Sequence, residues 1–427
     1  MDAVGIHVFA GGFSMGVKRV FNVNEQLELH NFGRETVEQR LGMEFTNVDS
    51  WDKWPIRNVA FAFGNPRCTG FSSITCGYGE DAHGPWSAPT QDIWDFCRYV
   101  VRAEIPVAIW ESVQQAFTTG RPLLDKLRDE IFVPAGYRIA HILLNYGSFG
   151  NSQQRKRYFF VAYKGGNFNI VPPELGEHMS TTYDAIWDMR DRETHEISRA
   201  GMNGSGDYVA DCYYPLGPYE WHDVPFVPPM GSLNTLARRY PQLMHQWHRD
   251  AWTHRSSDIP FSLHCITRMA WTKPFGTIHS SASRFLHPDH NRPVTIGELS
   301  RVMGWGDVIP AGGKPIAQIA KGVVPEAGEW LAQQAKLFLD GYWGAEDWES
   351  SYDSWKGVWA GRETPGAIEK VFNMTQYYPK TIGLERFPNA AFSRISRSNV
   401  DPSTGRLLNP WARDQWYAGV DWPDISA

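Results

Sequence analysis

Cys68 lies in the segment Gly64-Asn65-Pro66-Arg67-Cys68-Thr69-Gly70-Phe71-Ser72, directly after the apolar run 59–63. That run reads as a short buried strand. A thiol just past a strand end, among Gly and Pro, stands where open α/β sheets place their chemistry. As a thiolate it is a nucleophile, and a neighbouring cation such as Arg67 would favour that form. Other polar groups occupy comparable places. Glu111 ends the apolar stretch 106–110, and Gln153, Arg155 and Arg157 stand at the head of another, 157–163. Near the N-terminus, Phe9-Ala10-Gly11-Gly12-Phe13 forms a glycine turn between a strand and a helix. Such a turn lets a ligand approach the backbone close to a helix N-terminus.

These residues need a frame. Residues 5–10 read as a strand, 91–102 as an amphipathic helix, 106–110 as a strand, 122–131 as a helix, and 137–145 and 157–163 as strands. Strands alternating with helices imply a mostly parallel α/β sheet. The alternation stops over 164–280, which is rich in Pro, Gly, Tyr, Trp and His and reads as a separate irregular domain. Thr295 through Glu298 has the form of a capping box. Pro325 then opens a second helix. The expected organisation is a catalytic and cofactor-binding domain at 1–163, an irregular domain at 164–280, a return to the first domain at 281–340, and an extension at 341–427 whose role the sequence leaves open.

Composition narrows the class. The chain of 427 residues is 42% hydrophobic and 21% charged, as in ordinary globular proteins. No stretch approaches the roughly 20 apolar residues of a membrane span. The N-terminus lacks a signal-peptide layout, so a cytoplasmic protein is expected. Five cysteines without a CxxC pair point to reduced thiols. A net charge of −6 gives no global sign of nucleic-acid binding, so any such contact must come from a local basic patch.

Taken together, the motifs resemble those of the DNA (cytosine-5) methyltransferases, and the chain is identified as a divergent member. The family's Pro-Cys-Gln has Arg67 and Thr69 flanking Cys68 here. Trp110-Glu111-Ser112-Val113 resembles Glu-Asn-Val, with Ser112 for asparagine. Residues 151–157 match Gln-x-Arg-x-Arg, and Arg292 to Trp305 matches Arg-Pro-Leu-Thr…Glu…Gly-Phe. The glycine turn is two residues shorter than the family's. The resemblance implies a Rossmann-like sheet that binds S-adenosylmethionine, with a smaller target-recognition domain at 164–280.

The same resemblance implies the roles. Cys68 would add to C6 of a flipped-out cytosine, making C5 nucleophilic. Glu111 would hydrogen-bond the base's N3 edge and share a proton. Arg155 and Arg157, with Gln153 beside them, would orient the base and stabilise developing charge. Phe9, Ala10, Gly11, Gly12, Phe13 and Gly64 would line the cofactor pocket. Glu28 would accept from the ribose hydroxyls, with Glu25 as rival, and Asp49 would face the adenine. Double-stranded DNA is the expected partner. Arg67, Ser72, Arg238, Arg239 and Arg249 are its candidate contacts, the last three among aromatic residues on what is otherwise a solvated helix face. No metal is expected. The oligomeric state is not legible in the sequence, and a bacterial or phage-infected cell is the expected setting.

One position departs in charge. Ile319-Ala320-Lys321-Gly322-Val323-Val324-Pro325 aligns with the family's Gly-Asn-Ala/Ser-Val-Pro, so Lys321 stands for asparagine beside the cofactor's methionine portion. An ammonium repels a sulfonium but pairs with a carboxylate. This points to carboxy-S-adenosylmethionine and carboxymethyl transfer as the rival of S-adenosylmethionine and methyl transfer. Two other functions stay open: a catalytically inactive DNA-binding relative, and an RNA cytosine methyltransferase.

Overall fold

The computed structural model describes residues 1–71, 84–197, 208–213, 267–279, 285–290, 292–342 and 369–388. Seven strands come from the first part of the chain: β1 (Asp2–Ile6), β2 (Asn22–Glu28), β3 (Glu44–Asn47), β4 (Phe61–Gly64), β5 (Val107–Val113), β6 (Tyr137–Asn145) and β7 (Lys156–Lys164). Two short pairs follow, β8 (His195–Glu196) with β9 (Cys212–Tyr213), and β10 (Thr267–Arg268) with β11 (Phe285–Leu286). A last strand, β12 (Glu369–Met374), joins the main sheet, whose order is β12-β6-β7-β5-β4-β1-β2-β3. All its pairings are parallel except those of β7, which runs antiparallel to both β5 and β6. This is the Rossmann-like sheet expected from the sequence.

Strand order reverses between β1 and β4, so the loops leaving their C-terminal ends diverge there and open a crevice. Those loops are the glycine turn and the Cys68 segment. They touch, with the Asn65 amide donating to the His7 carbonyl at 3.3 Å.

Both faces of the sheet are buried, and side chains alternate between them with the strand period of two. Phe61 and Phe63, Val107 and Ile109, and Phe159 and Val161 face one hydrophobic cluster. Ala62, Ala108, Trp110, Tyr158 and Phe160 face the other. The first face is covered by α1 (Gly12–Val17) and the long C-terminal helix, and the second by α2 (Gln91–Arg102), α3 (Gln115–Thr118) and α4 (Arg121–Leu127). After α5 (Thr182–Ile186) come α6 (Ile296–Val302), α7 (Pro315–Lys321) and α8 (Pro325–Leu339). The capping box at α6 forms as its sequence indicates: the Thr295 hydroxyl accepts from the Glu298 amide, and the Glu298 carboxylate accepts from the Thr295 amide. Helix α8 crosses α1 at glycines, since a Cβ on Gly16 would lie 2.1 Å from the Pro325 carbonyl oxygen.

Some described residues of 164–280 pack against the sheet's first face. Phe168, Ile186, Met269, Trp271 and Phe275 join the same cluster as α1 and α8. The candidate contacts Ser72, Arg238, Arg239 and Arg249 lie outside the described residues.

The C-terminal extension holds an element its composition hides. β12 pairs in parallel register with β6, from Glu369 opposite Ile139 to Met374 opposite Leu144. Glu369 accepts from Arg121 at 2.6 Å and Arg128 at 2.8 Å, and the buried His141 stands 3.5 Å away. Burial pushes the Glu369 carboxyl up, but His141 and the two arginines outweigh it and hold the group below the ordinary glutamate range. Glu369→Gln removes one carboxylate from Arg121, which keeps Asp125, and from Arg128, which keeps Asp125 and Asp129, and is expected to cost about 1 kcal/mol in urea denaturation. The pH dependence has a definite sign. A carboxyl whose folded pKa lies below its unfolded value contributes fully above about pH 4.5 and progressively less as the pH falls. His141, held neutral by burial despite Glu369, adds a loss in the same direction below about pH 6.5.

Candidate active site

Four ionisable side chains meet at the end of β4 and β5. Glu111 lies on β5 opposite Phe159 of β7, and Arg157 opposes Val113. Glu111 and Arg157 are therefore diagonal neighbours on one face of the antiparallel pair, within reach of long side chains. They form an ion pair, Arg157 Nε to Glu111 Oε1 at 2.7 Å, with both side chains largely buried. Burial raises the Glu111 pKa, and Arg157 and Arg155 oppose the rise. A carboxyl so placed exchanges a proton more readily than a solvated one.

Arg155 precedes β7 and is buried. Its Nη2 donates to the Ala320 carbonyl at 2.9 Å, and its guanidinium lies 5.8 Å from the centre of the Tyr146 ring. Burial first, then Arg157, lowers its pKa to about 10. Cys68 shares the field of this group. Burial and the Glu111 carboxylate push its thiol up, while Arg157 and Arg155 pull it down. The resting thiol is thus protonated at neutral pH, and the cations that favour its ionisation include the two arginines of the β7 segment and Lys321.

Arg67 plays another part. Its guanidinium binds Asp92 of α2 through two hydrogen bonds, Nε to Oδ2 at 2.6 Å and Nη2 to Oδ1 at 2.7 Å. The guanidinium one residue before the thiol is thus paired with a carboxylate of α2, and its side chain is partly exposed. Gln153 is buried. Its Nε2 donates to the Val302 carbonyl at 3.2 Å and its Oε1 accepts from the Ile278 amide at 3.3 Å, so it braces the end of α6 against the segment after β10.

The glycine turn is tight. His7 and Phe9 have φ of 56° and 58°, and Gly11 has 86°. Left-handed backbone at two residues that carry a Cβ is strained by about 1–2 kcal/mol each. Glu28 holds the turn: its Oε1 accepts from the amides of Val8 at 2.7 Å and Phe9 at 2.9 Å. The side chain is fully buried, which raises its pKa well above the ordinary range. Its other oxygen, Oε2, has no hydrogen-bond partner among the described residues. The rival Glu25 is held by Arg57 at 2.6 Å and by the Thr46 hydroxyl. Asp49 is exposed and pairs with Lys53. Phe13 is a core residue, its ring 5.1 Å from that of Phe63. Gly64 lacks room for any side chain, because a Cβ would lie 2.1 Å from the Ile6 carbonyl oxygen. Ala10 and Gly12 are buried in the turn. A Cβ on Gly12 would lie 2.8 Å from the Val323 carbonyl oxygen.

Lys321 ends α7 and reaches over this turn. Its Nζ stands 4.5 Å from the centre of the Phe32 ring and 5.3 Å from that of Phe9. Its carbonyl accepts from Asn65 Nδ2 at 2.8 Å, which ties it to the Cys68 segment. Burial lowers its pKa, Cys68 raises it, and no carboxylate among the described residues pairs with it. Asn65 Oδ1 beside it is buried without a hydrogen-bond partner. An orphaned acceptor, a glycine-lined turn and an unpaired ammonium fit a small polar ligand with both donors and negative charge.

Asp92, Phe32 and Tyr146 were not singled out by the sequence. Only Asp92 carried a signal, as an acidic residue in the first turn of α2. Among the described residues no group of three or more His, Cys, Asp and Glu is arranged to hold a metal, and no helix is long and apolar enough to cross a membrane.

Known proteins resemble this chain in sequence and fold. The family model described as C-5 cytosine-specific DNA methylase matches residues 6–334. The type II methyltransferase M1.HphI of Haemophilus parahaemolyticus is 24% identical over 327 residues, spanning 72% of this chain and 78% of its own. M.DdeI of Desulfomicrobium norvegicum is 23% identical over 393 residues, spanning 80% and 89%. A crystal structure from E. coli, described as a candidate DNA modification methyltransferase encoded within a prophage, is similar in fold with a TM-score of 0.55. It is 16% identical and covers 80% of this chain and 99% of that one.

Proposed function

Because the chain belongs to the C-5 cytosine-specific DNA methylase family, we propose that Cys68 is the nucleophile of a cytosine-C5 transferase whose donor carries a carboxylate beside its sulfonium. The protein is thus read as a DNA cytosine carboxymethyltransferase acting on duplex DNA.

The chemistry follows from the grouped side chains. Cytosine C5 is too weak a nucleophile to attack a sulfonium-bound carbon unaided. A bond from Cys68 Sγ to C6 moves the ring electron pair to C5, with Glu111 sharing a proton at N3. Arg157 keeps Glu111 oriented, and Arg155 supplies positive charge beside the thiol. When bound, the donor supplies an electrophilic carbon and leaves as a thioether. After transfer the C5 proton leaves and the C6–S bond breaks, which regenerates the thiol. The target base must be out of the stack for Cys68 to reach C6.

One observation carries the donor assignment: the Lys321 ammonium over the glycine turn has no carboxylate partner among the described residues. Beside ordinary S-adenosylmethionine this exposed ammonium would face a like charge at close range. A donor carboxylate supplies the missing partner through a charge-assisted hydrogen bond. The test is to incubate the protein with duplex DNA and each donor, then weigh the released nucleosides. 5-Carboxymethylcytosine from the carboxylated donor is the expected product. Only 5-methylcytosine, with no use of the carboxylated donor, would remove this assignment and leave the family's methyl transfer.

A further inference from the structure

Arg67 sits one residue before Cys68, and its charge has a partner elsewhere. It is spent on Asp92, in the two-pronged geometry by which a planar guanidinium fixes a carboxylate. Asp92 is 2% exposed and lies in the first turn of α2, where the helix amides favour negative charge. Burial alone would push its carboxyl up, but Arg67 together with His7 and His30 brings it below the ordinary range. The same carboxylate has a second neighbour, His30 Nε2, at 3.7 Å from Oδ1. His30 belongs to the loop after β2, and that loop backs the glycine turn: a Cβ on Gly33 would lie 2.7 Å from Ala10 Cα. Asp92 therefore stands between the loop that bears the thiol and the loop that backs the donor turn.

On either side of Arg67 the segment is held by Asn65, whose amide donates to the His7 carbonyl and whose Nδ2 donates to the Lys321 carbonyl, and by the Phe71 amide, which donates to the Cys68 carbonyl. Gly64, Asn65 and Pro66 are buried, but Arg67, Cys68 and Thr69 are not. The Arg67 amide donates no backbone hydrogen bond among the described residues. Its backbone is outside the left-handed region. A proline ring at this position would restrain the chain through its own φ. Here the restraint comes from a side chain anchored on a helix.

We propose that Arg67 and Asp92 are positioning residues that fix the loop carrying Cys68 through their two-pronged ion pair. The inference rests on Cys68 being the nucleophile. Its loss should place the sulfur poorly for attack on C6 without changing how readily the thiol ionises.

The test uses the full chain and duplex DNA containing 5-fluorocytosine, on which a C6 adduct accumulates after transfer. The rate of adduct formation, kcat and KM for unmodified DNA, the pH profile of Cys68 alkylation by iodoacetamide, and Tm are measured. Arg67→Ala and Asp92→Asn are each expected to slow adduct formation about a hundredfold, the scale of an ångström of misplacement. The loss should fall on kcat, with KM for DNA and the alkylation midpoint unchanged. Arg67→Lys should stay closer to the alanine variant, because a point charge cannot reproduce the fork. Arg67→Pro should restore the rate, alone and combined with Asp92→Asn. A wild-type rate in Arg67→Ala overturns the proposal, as does a defect confined to KM, which would assign Arg67 to DNA phosphate. Should the alanine variant fail to fold, Arg67→Pro decides: folded and active supports the proposal, folded and inactive overturns it. If the wild-type protein itself forms no adduct, the nucleophile assignment fails instead, and the two failures are told apart.

Discussion

Lys321→Asn is expected to invert the donor preference. In the wild-type protein the ammonium at the end of α7 stands beside the glycine turn and above Phe9 and Phe32, tied to the Cys68 segment through Asn65. Asparagine removes both the attraction to a donor carboxylate and the repulsion of an ordinary sulfonium. A hydrogen bond to a charged group contributes about 1.5–3 kcal/mol. Use of the carboxylated donor should therefore fall by about ten- to a hundredfold. Use of S-adenosylmethionine should rise, so the ratio of the two kcat/KM values moves by more than either alone. Competition between the donors on one DNA, read as the ratio of carboxymethyl to methyl product, measures this directly. Lys321→Gln should behave like the asparagine variant and Lys321→Arg should keep the wild-type preference. An unchanged product ratio in Lys321→Asn would detach the lysine from donor choice.

Cys68→Ser carries the other large effect. Serine keeps the shape of the loop but has no accessible anion near neutral pH, so C5 is never activated. Transfer to DNA should fall by at least about a thousandfold, as when a covalent catalyst loses its nucleophile. The covalent adduct with 5-fluorocytosine DNA should vanish with it. Donor binding, followed by calorimetry, should persist, because the glycine turn and Lys321 are untouched. The pH dependence adds a second signature. Burial and Glu111 hold the thiol above its ordinary range, so alkylation of Cys68 by iodoacetamide in the free protein should still be rising above about pH 9. Arg157→Ala removes one of the cations that oppose this shift and should move the midpoint higher still. A residual adduct in Cys68→Ser would sink the assignment.

Much of the frame was legible because burial on both faces writes itself into composition. The apolar runs ending at Gly64, Val113 and Asn145 are strands, and Thr295 with Glu298 forms the capping box its spacing announces. The candidate site was legible as far as strand ends reveal it. Its pairings were not, because they depend on register. Arg157 meets Glu111 only because β7 runs antiparallel to β5 with Val113 opposite Arg157. Arg67 meets Asp92 only because α2 lies beside the thiol loop. Phe13 looked like part of a ligand turn but belongs to α1's buried side, where ring packing on Phe63 claims it. Glu28 ends the strand it was expected to end, yet a tight turn with amides to satisfy drew its carboxylate inward. β12 was missed because a six-residue edge strand, with Val371 on its exposed side, shows neither a buried run nor a clean alternation.

That edge strand also bears on how the chain is made. Glu369 meets Arg128 across 241 residues of sequence, so the contact cannot form until the chain through β12 has left the ribosome. The rest of the sheet, from β3 through β7, has all its strands much earlier. Synthesis at about 5–20 residues per second then leaves the outer edge of β6 open for some tens of seconds or less. An open edge is a template for wrong partners. The arginines waiting on α4 and just after it, joined by His141 on β6, single out an acidic residue at the head of the incoming strand. Their pairing with Glu369 favours the register in which it stands opposite Ile139.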